Sequence, residues 1–167
     1  VGLFDTLHFV PRPSGLHFLC DATGVPQDDT NLAMRAARAL LTAAKLEAPP
    51  RGVRIDLYKT IPVAAGFAGG SADAAATLVG LNEFWGLGLQ EPDLLRIATG
   101  LGADVAFCLR GGTALGRGRG DVLEWLPALR KTVFLLVFAG APVQSAWAYE
   151  QLRMGLTRRS TALSIDQ

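Results

Sequence analysis

Cysteine and histidine are scarce: Cys20 and Cys108, His8 and His17 are the only ones among 167 residues. Two thiols cannot make a metal site on their own, and nothing in their number points to a disulfide-stapled secreted scaffold. Charge of one sign is lacking too. Sixteen Lys and Arg against 15 Asp and Glu leave a formal net charge of +1, a balance that predicts neither a nucleic-acid surface nor a membrane-binding one. No apolar run reaches the roughly 20 residues that a spanning helix needs. No signal segment stands out, so the setting expected is reducing and cytosolic. Internal repeats and low-complexity tracts are absent. What remains is globular: 50% hydrophobic, 19% charged and of a length that suits one domain with a buried core.

The first residue is Val1, inside an apparent strand, and Thr161 to Gln167 stop without a finish, so an internal piece of a longer protein is expected. Leu3 to Val10 and Leu16 to Cys20 flank Pro11-Arg12-Pro13-Ser14-Gly15 and read as a hairpin. Pro26 to Thr30 has a capping composition ahead of a helix from Asn31 to about Leu46, with Leu32, Ala36, Ala39, Leu40 and Ala43 on a 3.6-residue period. Val53, Ile55 and Leu57 alternate with Arg54, Asp56 and Tyr58 in a half-buried strand. Helices are expected over Ser71–Trp85 and from about Glu91 to Leu101, strands at Val122–Leu126 and Thr132–Phe138, and a last helix from near Ser145 that carries Trp147, Tyr149 and Leu152. The order is mixed α and β without the regular alternation of a doubly wound sheet.

Ile61-Pro62-Val63-Ala64-Ala65-Gly66-Phe67-Ala68-Gly69-Gly70-Ser71-Ala72 carries the strongest chemical signal. A strand runs into a glycine-rich loop that opens onto an alanine-rich helix. Glycines let the backbone turn its amides inward, and the helix that follows aims free N–H groups and its positive dipole end at the same point. No lysine follows the glycines, which excludes a Walker A loop, and Ala68 breaks the dinucleotide-binding G-x-G-x-x-G spacing. Two readings stand: a tight strand-to-helix turn chosen for close packing, or an anion cradle in which Gly69, Gly70, Ser71 and neighbouring amides hold phosphate oxygens. The Ser71 hydroxyl is open to a phosphate contact, a metal contact or a helix cap.

Asp104 follows Gly102-Ala103 at the end of a helix and precedes Val105, Phe107, Cys108 and Leu109. A carboxylate in apolar company is costly without a partner. It reads either as a helix-terminating aspartate or as a catalytic base, or orienter of a substrate hydroxyl, in phosphoryl transfer. Gly111 to Gly120 holds five glycines in ten residues, a strand with something packed closely against it or a glycine-rich hairpin.

Taken together, the run Lys59 to Ala76, the run Gly102 to Leu109 and Gly111-Gly112-Thr113-Ala114-Leu115-Gly116 resemble the GHMP small-molecule kinases. Asp5-Thr6-Leu7, Asn31-Leu32 and Ala146-Trp147-Ala148-Tyr149 add to the likeness, which covers most of the chain. The resemblance is greatest to members that act on 4-diphosphocytidyl-2-C-methyl-D-erythritol. It implies an α+β, two-layer fold: a ribosomal protein S5 domain 2-like, ATP-binding half over residues 1–128 and the start of a ferredoxin-like half over 129–167, joined near Leu126–Lys131. It also implies ATP as co-substrate with Mg²⁺, and transfer of the γ-phosphoryl to the 2-hydroxyl of that cytidine compound in non-mevalonate isoprenoid synthesis. Pro62, Ala64, Ala65, Gly66, Phe67, Ala68, Gly69, Gly70, Ser71 and Ala72 would wrap the ATP phosphates. Asp104 would draw the proton from the accepting hydroxyl, and Asn31 and Lys59 would fall on the nucleotide side. Tyr149 would stack on the cytosine, or be an ordinary helix-face aromatic. No residue is assigned as a metal ligand. The expected partner is a small molecule, with no nucleic acid and no membrane; oligomeric state stays open. The compartment implied is bacterial cytoplasm, or plastid stroma for a plant or alga.

The departures matter as well. The family loop carries a second hydroxyl where this chain has Ala72 and a further glycine where it has Ala68, a change of one methyl expected to leave the loop's shape. A Pro-Ala-Lys strand and a Gly-Tyr-His segment of the family do not occur in this sequence, and the C-terminal part of its second half is missing. The resemblance therefore implies activity for an intact parent and none for this span alone, which is expected to be poorly soluble. Two other readings stay open: a kinase of the homoserine or mevalonate type, and a non-catalytic nucleotide-binding or structural domain.

Overall fold

The computed structural model describes residues 2–140 apart from Arg119, Lys131 and Ala139. Three strands make the main sheet: β1 (Thr6–Arg12), β2 (Leu16–Cys20) and β3 (Gly52–Tyr58), in the order β1-β3-β2. β1 runs antiparallel to β3, and β2 runs parallel to it. The hairpin expected from the turn residues is therefore absent: β1 and β2 flank β3 and never pair.

The reason lies at the start of β3. Arg12 and Leu16 stand opposite Gly52 and Val53, so residues 13–15 arch over the end of β3, and the Val53 N–H donates to the Gly15 carbonyl at 2.9 Å. A Cβ on Gly52 would stand 2.5 Å from the Ser14 backbone. Glycine makes that crossing possible.

One face of the sheet is dry. Val53 and Ile55 are fully buried and Leu57 almost so, as their alternation predicts. α1 (Leu32–Ala43) and α2 (Gly69–Phe84) pack on that face. Asn31 caps α1, its side-chain oxygen accepting from the Ala33 N–H at 2.9 Å. The α1 stripe is shifted from the expected one: Ala36 and Leu40 are buried with Ala33, Met34, Ala37 and Leu41, whereas Ala43 is exposed. α2 lies at the centre, touching β1, α1, α3 and α4. Its alanines are what let so many neighbours approach, and the Phe9 ring fills the gap above Gly80.

α3 (Glu91–Leu101) keeps its expected bounds, with Glu91 and Asp93 in the first turn, where they favour the dipole. α4 (Ala103–Arg110) was not expected as a separate helix. Gly102 breaks the chain's direction, and burial of Val105 and Ala106 against α2 sustains the new helix. Asp104 thus opens a helix rather than closing one.

The glycine-studded segment resolves as a hairpin, β4 (Thr113–Arg117) with β5 (Val122–Leu126). Gly118 and Gly120 have φ of +65° and +87°, a left-handed backbone that glycine adopts without strain. The strand expected at Thr132–Phe138 does not form: none of those residues pairs with a described strand, and Val133 and Leu135 are 95% and 89% exposed. A strand exists only through a neighbour's ladder. The expected helix from near Ser145, and Tyr149 with it, lie outside the described residues. The architecture is α+β, a sheet with helices on one face.

Candidate functional site

The loop between β3 and α2 bends through three left-handed positions, Ala64 (φ 55°), Gly66 (φ 77°) and Ala68 (φ 54°). For the two alanines that backbone costs about 1–2 kcal/mol each, so the surrounding structure must hold the bend in place. Ala68 is the N-cap of α2 and makes no side-chain capping bond. Ser71 sits inside the first turn, which removes capping from its possible roles. The first N–H of α2 to find a helical partner is that of Ala72, on the Ala68 carbonyl at 2.9 Å. The amides before it point out of the helix end toward the loop.

A cavity of about 410 Å³ opens there. It is lined by the run Pro62 to Ser71, by Asn31, Lys59, Asp73 and Asp104, and by residues ahead of α1. The structure thus brings the expected phosphate loop, both expected nucleotide-side residues and the expected base to one place. Ala72 is the one member of the expected loop that does not line the cavity. Asn31 spends its side chain locally, its oxygen on Ala33 and its Nδ2 donating to the Pro26 carbonyl at 2.8 Å. Asp104 is exposed, so the desolvation cost expected from its apolar neighbours in sequence does not arise: in the first turn of α4, its carboxylate faces open space.

Lys59 is buried, and its ammonium is shared between two carboxylates, Asp5 and Asp73, the latter at 2.8 Å. Asp5 also accepts from the N–H groups of Thr60 and Ile61, at 2.6 and 2.8 Å. Burial pushes the Asp5 carboxyl upward, but the Lys59 ammonium and those two amides outweigh it and hold it below its ordinary range. For Lys59, burial disfavours the charge, and the two carboxylates more than restore it, leaving its pKa raised. Asp73 differs. Burial pushes its carboxyl up to about 6, against the pull of Lys59 and with the help of the Asp5 charge.

Asp5 and Asp73 were given no role from sequence, although both lie in runs that carry the family resemblance. A signal was there for Asp73: a carboxylate four residues into an alanine-rich buried helix needs a cation, and Lys59 precedes the same loop. Asp5 gave no such local cue. Its partner lies 54 residues away.

No group of three or more His, Cys, Asp or Glu side chains among the described residues could hold a metal. No helix there is long and apolar enough to cross a membrane.

The GHMP kinases N-terminal domain matches residues 31–112, the span from the α1 cap to the start of the hairpin. A 4-diphosphocytidyl-2-C-methyl-D-erythritol kinase from Synechococcus sp. (strain JA-3-3Ab) is 48% identical over 154 residues, covering 92% of this chain and 49% of that relative. The crystal structure of a 4-(cytidine 5′-diphospho)-2C-methyl-D-erythritol kinase superposes with a TM-score of 0.60 at 43% identity, covering 73% of this chain and 41% of that one. A homoserine kinase from Cytophaga hutchinsonii, 24% identical with a TM-score of 0.63 over 74% of this chain and 43% of its own, shares the fold. The chain spans about half the length of the curated relatives it matches. GHMP kinases use ATP as co-substrate. With the loop, the cap and the fold all in agreement, the chain belongs to the GHMP kinase family.

Proposed function

We propose that the protein to which this chain belongs transfers the γ-phosphoryl of ATP to the 2-hydroxyl of 4-diphosphocytidyl-2-C-methyl-D-erythritol. One observation carries the reading: the outward amides of α2, the loop from Pro62 to Ser71 and the carboxylate of Asp104 meet in a single cavity. Phosphoryl transfer depends chiefly on positioning and on charge stabilisation. The loop and the dipole of α2 supply the second for the phosphates. Asp104 supplies a base for the accepting hydroxyl. The similarity to relatives named for this substrate selects it from others of the family.

Mg²⁺ fits this site as a passenger of the nucleotide. It binds through phosphate oxygens, a few waters and at most one or two carboxylates, and the cavity lining offers Asp104 as one such carboxylate. Bound there, it would neutralise charge on the transferred group. In this reading Asn31 and Lys59 shape the nucleotide end, residues 1–128 form the ATP-binding domain, and residues 129–167 begin a second one that brings Tyr149 to the cytosine. The ligand is a small molecule, and the compartment is the cytoplasm.

ADP release from ATP by the full-length protein, with and without the cytidine substrate, tests the reading. Turnover that needs that substrate and drops by about a hundredfold or more in Asp104→Asn supports it. Turnover with homoserine or mevalonate instead would assign the site to another substrate.

A further inference from the structure

Asp73 lies one turn into α2 and is 4% exposed. Its Oδ2 accepts from Lys59 at 2.8 Å, and its Oδ1 is buried without a hydrogen-bond partner. A carboxylate oxygen in that state is expensive. The charged and titratable groups around it are few. Asp5 faces it from ahead of β1, Lys59 from beyond β3 and Cys108 from α4, whose thiol is raised by burial, by the charge of exposed Asp104 and by that of Asp73. On its own helix, Thr77 donates to the Asp73 backbone carbonyl at 2.7 Å and leaves the carboxylate alone. One ammonium therefore serves two buried carboxylates, Asp5 and Asp73.

That ammonium stands directly beneath the phosphate loop. A Cβ on Gly69, the first residue of α2, would lie 3.1 Å from Lys59 Nζ. Phosphates seated at the end of α2 would bring several more negative charges to a place where the one cation among the described lining residues, Lys59, is already shared. Asp5 has no spare oxygen, since its two are taken by Lys59 and by two amides. Asp73 alone in the cluster has an oxygen with nothing on it.

We propose that Asp73 is a positioning residue for the phosphate loop: through Oδ2 it anchors Lys59 beneath Gly69, and on Oδ1 it takes a proton from solvent when a nucleotide's phosphates occupy the loop. Protonation removes one negative charge, lets Lys59 turn its field toward the phosphates and leaves Oδ2 in place as an acceptor. The step makes one O–H bond at Asp73 and consumes one solvent proton, with no other co-reactant. It rests on the loop being the nucleotide's seat. Burial already carries the Asp73 carboxyl to about 6, so a further nearby negative charge brings its titration into the neutral range.

Calorimetric titration of the full-length protein with the Mg²⁺ complex of β,γ-imido-ATP, in buffers of different ionisation enthalpy, reads the proton directly. For a rise of about one unit on binding, the wild type takes up about half a proton near pH 6.5, and its affinity falls about fivefold from pH 6 to pH 8. Asp73→Asn, which keeps an oxygen for Lys59, loses both the uptake and the slope; the nucleotide's own titration is common to both proteins and cancels. Asp73→Ala, which also releases Lys59, raises KM for ATP about tenfold more than it lowers kcat, and the Asn variant rescues that rise. If Asp73→Ala does not fold, the Asn comparison decides. Equal proton uptake in wild type and Asp73→Asn would overturn the proposal and leave nucleotide binding standing. Failure of the wild type to bind the nucleotide at all would overturn both.

Discussion

Lys59 Nζ meets Asp73 Oδ2 at 2.8 Å, tying the end of β3 to the first turns of α2 across the loop that lies between them. Asp5 holds the same ammonium from the other side, so three segments that are distant in sequence share one buried charge. Removing a single partner from such a group leaves the others uncompensated, which costs far more than the net worth of the ion pair.

Lys59→Met is accordingly expected to destabilise the protein by about 3–5 kcal/mol, measured by denaturant unfolding. Adding Asp73→Asn to Lys59→Met should recover part of that loss, because one of the two stranded carboxylates is then gone.

Stability should also depend on pH through Asp73. Its carboxyl binds a proton more tightly folded, at about 6, than at its ordinary value of 3.8. Its stabilising contribution is therefore whole below the ordinary value, is lost as pH rises toward about 6, and is flat above. Asp5, held below its ordinary value, acts in the opposite sense and in a separate window: its contribution is present above 3.8 and is lost as pH falls through its folded value. Unfolding free energies across both windows check this, and Asp73→Asn should abolish only the upper slope.

Ala68→Gly should raise stability by up to about 1 kcal/mol. It relieves a left-handed alanine at a cost in unfolded-chain entropy smaller than the strain removed. The urea midpoint would show it.

Gly52→Ala is expected to cost about 1–3 kcal/mol by overpacking, since its methyl would meet the Ser14 backbone, which cannot swing aside as a side chain can. A thermal melt of the two proteins, with no loss expected for the same change at solvent-facing Gly70, separates the clash from a general aversion to alanine.

Alternation made β3 legible, because it buries one face, and alanine and leucine between the glycine loop and Gly86 made α2 legible to within two residues; α3 and β5 lie at their expected bounds. The glycine loop and Asp104 stood out as residue types at fixed spacing, and the fold brings them to one cavity. The hairpin expected at Pro11–Gly15 was not there, since turn residues report that the chain bends and not which strand fills the gap. α4 was hidden by the short distance between Gly102 and Gly111. The Lys59–Asp5–Asp73 cluster was the deepest omission: no local pattern links residues 5, 59 and 73, and only the folded sheet brings them within reach.

The strand order has a consequence for how the chain comes to be folded. β1 and β2 precede β3 and stand side by side in sequence, yet among the described residues each finds its hydrogen-bond partner in β3. Until Gly52–Tyr58 has been made, both earlier strands lack this partner. These three strands can then come together only by inserting β3 between the two that precede it, with some forty residues between Arg12 and Gly52. A nascent chain halted before β3 would hold α1 without the surface it packs on, and would be the stage at which a chaperone finds most to bind.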